Sequence, residues 1–209
     1  MGVILGKKIK MDQIFKEDKV IPVTVIQAGP VVVTQIRTKE KDGYEAIQVG
    51  FDATKKRLNK SLAGHLKNLG NFKYLKEFKI SNLDKEKNSN LKIGDVLTVS
   101  QFKEGDKVKV IGLSKGKGFQ GVVKRHGFGG GPKTHGQKDR LRAPGSIGNT
   151  DLQRVALGRK MAGRMGQEKI IVKNLEIVAV DPKKNILMIK GAVPGRKGTV
   201  IEIQNSFKI

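Results

Sequence analysis

The 209-residue chain carries 42 Lys+Arg against 19 Asp+Glu, a formal net charge of +23. Self-repulsion on that scale opposes compaction, so the surplus reads as the footprint of a phosphate-backbone partner rather than as surface kept for solubility. The chain has no cysteine, which excludes disulfides and thiolate metal sites, and no apolar run approaching the ~20 residues of a membrane helix.

The opening MGVILGKKIKM lacks the apolar core and cleavage site of a secretory signal, and Gly6 breaks the myristoylation pattern. A cytoplasmic protein is expected. Val20–Ile26 and Val31–Arg37 are β-branched runs separated by the turn signal Gln27-Ala-Gly-Pro30. Tyr44–Phe51 follows Lys41-Asp-Gly43, where Asp-Gly suits a tight hairpin. Residues 54–90 interrupt the β pattern. Leu58, Leu62, Leu66 and Leu69 stand at helical spacing before Gly70, which predicts an amphipathic helix near Arg57–Leu69. Tyr74–Ile80 reads as a short strand and Ser81–Asn90 as loop. Asp106–Leu113 alternates Val108 and Val110 with Lys107 and Lys109, a half-buried strand.

Lys115–Lys169 then breaks the pattern completely. Seven Lys and six Arg face three acids, Asp139, Asp151 and Glu168, a net of +10 over 55 residues. Beyond it, Ile170–Val180 and Asn185–Lys190 flank Asp181-Pro-Lys-Lys as a hairpin, and Thr199–Gln204 sets Ile201 and Ile203 on one face. Short strands with turns between them predict a small barrel or sandwich. The basic stretch interrupts that β-domain, rooted in it at both ends.

The stretch is rich in glycine and poor in large apolar side chains. It cannot bury enough apolar surface to offset the entropy of ordering its backbone, so the isolated arm is expected to be largely disordered. An enzyme reading starts from Gly116-Lys-Gly118-Phe-Gln-Gly121, which matches the dinucleotide fingerprint after a predicted strand. The fingerprint needs a helix opening at its last glycines, and the residues from Val122 to Pro132 are not expected to sustain one. Gly158-Arg-Lys-Met-Ala-Gly163 resembles half a P-loop, but Arg164-Met165 replaces the required Lys-Ser/Thr. His126 and His135, without cysteine or paired carboxylates, make a poor metal site inside so cationic a segment. Phosphate or base contact, or backbone bonding in a turn, suits them better, while His65 is expected on a helix surface. Neither a metal nor a cofactor is expected.

The distribution of arginine favours RNA. Six of the nine arginines, Arg125, Arg140, Arg142, Arg154, Arg159 and Arg164, lie in this stretch, whereas the rest of the chain relies on lysine. Guanidinium supplies bidentate phosphate contacts and stacking that ammonium cannot. Glycine lets backbone amides approach phosphates. Phe119 and Phe128 read first as local packing residues, with flat faces for bases as the alternative. No helix-turn-helix, zinc-finger or basic-zipper pattern points to DNA, and an irregular arm suits folded RNA better than a regular groove.

The segments GVILGKKIKMDQIF (2–15), IPVTVIQAGPVVVTQIRTKEKDGYEAIQVGF (21–51), KGKGFQGVVKRHGFGGGPKTHG (115–136), RAPGSIG (142–148), GRKMAGRMG (158–166) and VKNLEIVAVDPKKNILMIKGAVPG (172–195) together give the chain a close resemblance to the bacterial-type large-subunit ribosomal protein L-three family. The resemblance covers nearly the whole length. It implies a mainly β fold: a closed six-stranded Greek-key barrel like that of translation factors, over 1–114 plus 167–209, with a short helical insertion. A long irregular extension, 115–166, would enter rRNA. It further implies a non-enzymatic constituent of the large subunit that binds 23S-type rRNA near its 3′ domain, acts early in assembly and reaches towards the peptidyl-transferase region beside ribosomal proteins L-fourteen and L-nineteen. By motif match Lys115, Lys117, Phe119, Lys124, Arg125, His126, His135, Arg142, Ser146, Lys160, Met161 and Arg164 fall on the rRNA-facing arm, with Arg142 to Gly148 at its tip. Composition adds Phe128, Lys133, Lys138, Arg140, Arg154 and Arg159. The chain departs from the family at Lys10, Asp12 and Leu141, where Gly, Thr and His are usual, and Gln153 does not match the family's methylated glutamine. A nucleotide-dependent enzyme using Gly116–Gly121, or a non-ribosomal RNA chaperone, is the alternative.

Overall fold

The computed structural model describes residues 2–16, 19–67, 69–79 and 91–205. The chain divides into two compact units: one runs up to Gly112 and resumes at Ile170, the other is Leu113–Lys169.

In the first unit, strands β1 (Val3–Lys16), β2 (Lys19–Ala28), β7 (Lys107–Leu113), β10 (Lys169–Asp181), β11 (Ile186–Lys190) and β12 (Val200–Asn205) close into a barrel in the order β1-β12-β7-β10-β11-β2. β7, β10 and β11 are neighbours in chain order, and β12 returns to lie beside β7, which is the Greek-key arrangement. Alternation places Val108 and Val110, Leu187 and Ile189, and Ile201 and Ile203 in the core, all fully buried. Each such side chain contributes about 1.5–3 kcal/mol by leaving water.

A second sheet has the order β5-β4-β3-β6, from β3 (Val31–Arg37), β4 (Ala46–Ala53), β5 (Phe72–Lys79) and β6 (Val96–Leu97). It shares one hydrophobic core with the barrel, in which Ile4, Val33, Ile47 and Phe78 are buried beside Leu187 and Ile203. Successive side chains of a strand point to opposite faces, so the unbroken burial of Val3, Ile4 and Leu5 requires cover on both sides of β1. Without alternation, β1 escapes a period-2 reading, and neither that strand nor a separate second sheet is expected from the sequence.

Lys8 fixes the loop before β12. The residue is 9% exposed, and its ammonium donates to the carbonyls of Val193 and Gly195 at 3.0 and 3.2 Å. The backbone does the same, from Lys8 N to Thr199 O and from Gly198 N to Lys8 O.

Two local expectations need correction. The predicted helix at Arg57–Leu69 shrinks to α2 (Lys60–His65), because Gly64 lowers its propensity and its polar residues outnumber its leucines. The Asp-Gly step makes no two-residue hairpin. The single turn α1 (Lys39–Asp42) ends at Gly43, whose φ of +79° takes the left-handed cap, before β4 begins. The turn expected at Gln27–Pro30 links β2 to β3, which lie in different sheets. The loop expected at Ser81–Asn90 lies outside the described residues.

Candidate nucleic-acid interface

The Leu113–Lys169 unit begins as two antiparallel limbs. Ser114 N donates to Glu168 O and Lys117 N to Met165 O, both at 2.9 Å, and Met165 N donates to Gly118 O at 3.0 Å. Limb pairing continues in β8 (Phe119–Gln120) and β9 (Gly163–Arg164), with Phe119 opposite Arg164. Gly166 permits this approach: its φ is +78°, and a Cβ there would collide with the Lys115 carbonyl oxygen. Arg164 is oriented by the side-chain oxygen of Gln167.

A single turn, α3 (Val122–His126), follows Gly121 and ends at Gly127. This corrects the expectation that no helix forms after the glycine motif. Val122 supplies the anchor, being the one buried side chain of the unit among the described residues. The dinucleotide reading gains nothing from the turn. It is five residues long, whereas the fingerprint requires a full βαβ unit. A Cβ on Gly116, Gly118 or Gly121 would meet nothing within 4 Å, so these glycines mark no tight packing within the chain.

Two arm residues tie the limbs together. Arg125 Nη1 donates to the Met161 carbonyl at 2.9 Å, and His126 Nε2 lies 3.0 Å from the same oxygen. A carbonyl only accepts, so His126 carries its proton on Nε2. The Phe128 ring packs against His126 with centroids 6.0 Å apart. Further along, Arg159 Nη2 donates to Ser146 O at 2.6 Å, tying residues 146 and 159 together, and Ser146 Oγ donates to Gly148 O at 2.9 Å within its own turn.

The remaining cations are held differently. Lys115, Lys117, Lys124, Lys133, Lys138, Arg140, Arg142, Arg154 and Lys160 are exposed, as is His135 at a positive φ of +59°. Among the described residues no ion pair involves any of the thirteen cations of this unit; the ion pairs all lie in the barrel unit. Asp139, Asp151 and Glu168 neutralise none of them. The local packing expected of Phe119 does not occur: its ring is 76% exposed. The parts that Gly163, Gly166 and Gln167 play in shaping the arm are not readable in the sequence, since they depend on which limb faces them.

The unit also contains a cleft of about 480 Å³ between the Phe128–Gly131 segment and the Gln137–Gly145 segment. Among the described residues no cluster of three His, Asp or Glu could hold a metal ion, and no helix is long and apolar enough to cross a membrane.

The family model described as Ribosomal protein L3 matches residues 80–185. Curated relatives named Large ribosomal subunit protein uL3 are similar over the whole chain. That of Herpetosiphon aurantiacus is 51% identical, with 98% of this chain and 96% of that protein covered. That of Chlorobium limicola is 52% identical, with 97% and 98% covered. That of Chlorobium phaeobacteroides is 50% identical, with both chains covered completely.

Proposed function

Because the chain belongs to the ribosomal protein L3 family, non-enzymatic constituents of the large ribosomal subunit, we propose that its Leu113–Lys169 unit is an rRNA-binding arm that helps fold and lock rRNA tertiary structure. The carrying observation is thirteen cations without an ion pair among the described residues. Polyanion phosphates are the counter-charge such a surface requires, and the counterions they release drive binding.

The site divides by role. Lys115, Lys117, Lys124, Lys133, Lys138, Arg140, Arg142, Arg154 and Lys160 meet phosphates. Phe119, exposed opposite Arg164, offers a stacking face. Arg125, His126, Met161, Ser146 and Arg159 set the limb spacing through the bonds described above. The protein is a constituent of the cytoplasmic large subunit. Binding near the 3′ domain, an early assembly role, reach towards the peptidyl-transferase region and neighbourhood with ribosomal proteins L-fourteen and L-nineteen follow from family resemblance.

Salt-titrated binding to a 3′-domain rRNA fragment tests this, beside a variant with Lys117–Arg164 replaced by a Gly/Ser linker and an unrelated folded RNA as competitor. Preference for the rRNA, a steep fall of log affinity with log salt, and a slope flattened by excision are expected. Equal binding to both RNAs, indifferent to excision, rejects the reading.

A further inference from the structure

The cleft in the arm has the composition of a nucleotide seat, and we propose that it receives one unpaired nucleotide of the RNA that the arm binds. The inference rests on the rRNA-binding reading of the arm and names a site within it.

Phe128, Gly130, Gly131, Gln137, Arg140 and Pro144 line the cleft, whose volume of about 480 Å³ suits a small ligand. Phe128 provides an aromatic face that His126 backs at 6.0 Å. Beside it lie two polar groups with complementary capacities: the Gln137 amide both donates and accepts, and the Arg140 guanidinium donates in a plane. Among the described residues neither side chain has a hydrogen-bond or ion-pair partner. No acid lines the cleft.

One wall is fixed against side chains. Gly131 N donates to Leu141 O at 2.9 Å, and a Cβ on Gly130 would collide with that same oxygen. The two segments therefore close on each other through bare backbone, leaving an opening lined by Phe128, Gln137 and Arg140. Proteins recognise unstacked RNA bases by stacking on aromatic or guanidinium planes and by hydrogen bonds to base edges. A base in a duplex presents no free face, so the occupant is unpaired. The surplus of ten positive charges in the surrounding segment selects a phosphate-linked ligand over a peptide or an apolar molecule.

The chain has no tryptophan, so Phe128→Trp places a single indole in the cleft. The full-length variant is titrated with the 3′-domain rRNA fragment, with a fully paired RNA duplex of equal length, and with a mixture of the four nucleoside monophosphates. Anisotropy of labelled RNA reports binding separately. The rRNA fragment is expected to quench the indole at least twofold, while the duplex binds through charge and leaves it unchanged and the monophosphates act only at millimolar concentration. Phe128→Leu keeps the apolar bulk but loses the π face, and is expected to weaken rRNA binding roughly tenfold, within the range of a lost base stack. Binding of the fragment without quenching, equal quenching by the duplex, micromolar response to monophosphates, or wild-type affinity in Phe128→Leu each overturns the seat while leaving the rRNA-binding arm intact. Failure of the fragment to bind the wild-type protein overturns both.

Discussion

Arg125 and Gly163 fit together only because residue 163 has no side chain: a Cβ there would sit 2.6 Å from Nη1 of the guanidinium. The same nitrogen holds the Met161 carbonyl. Gly163→Ala therefore displaces Arg125 and opens the tie between limbs. In the protein bound to the rRNA fragment, amide exchange is expected to accelerate at residues 119–126 and 161–165, while the melting temperature of the free barrel holds. Unchanged exchange at both limbs would show that the tie is not what spaces them.

Arg142 is exposed and makes no bond to the rest of the chain among the described residues. Arg142→Ala is expected to leave thermal stability unchanged and to weaken rRNA binding. Each lost phosphate contact lowers the slope of log affinity against log salt by roughly 0.7–0.9. A marked fall in melting temperature would assign Arg142 a structural role instead.

Ile203 is fully buried in β12, between β1 and β7. Ile203→Ala removes three methyl(ene) groups and leaves a cavity, at a cost of about 2–5 kcal/mol. Urea denaturation is the direct measure, and a loss under about 1 kcal/mol would mean the barrel collapses around the gap.

Lys8 satisfies two buried carbonyls from the 193–195 loop. Lys8→Met keeps the stem but not the donors, and unsatisfied buried carbonyls cost about 1–3 kcal/mol. Faster amide exchange across 191–199, beyond the global loss, is the expected local signature; exchange faster only through global unfolding would refute that local role.

Glu77 accepts from the Tyr44 hydroxyl and from Arg37 Nε, each at 2.8 Å. The Tyr44 bond foremost holds its carboxyl below the ordinary glutamate range; desolvation by burial opposes that lowering, and the hydrogen bond and charge of Arg37 reinforce it. A carboxyl depressed in the folded state stabilises above its unfolded pKa, about 4.3, and that contribution disappears as pH falls through the folded value. Tyr44→Phe is expected to lower the melting temperature at neutral pH, with the gap to wild type narrowing below about pH 4. A gap independent of pH would exclude this linkage.

What was legible in the sequence follows the physics of each segment. Val108/Val110 and Ile201/Ile203 alternate because one face of each strand is wet, so β7 and β12 were readable directly. Val3-Ile4-Leu5 carry no period because both faces are covered, and β1 was missed for that reason. The arm's charge was fully visible, since composition needs no partner. Its internal ties were not. Arg125 and His126 look like free side chains until Met161 arrives from 36 and 35 residues away, and the turn at Val122–His126 buries a single valine. Phe119 and Phe128 look alike in the sequence, yet one ring stands in solvent and the other lines a cleft.

The position of the arm in the Greek key has a kinetic consequence. β7 cannot zip onto β10 until the intervening residues have been made, and β1 finds β12 only after nearly the whole chain exists, with Val3 opposite Gln204. Such non-local pairing is slow, because loop closure must precede any gain from contact. The Ser114–Glu168 and Lys117–Met165 bonds change that search. Once the two limbs zip, β7 and β10 are delivered together as the arms of a hairpin. Whatever fastens the limbs early, RNA included, would then act as a folding catalyst for the β-domain.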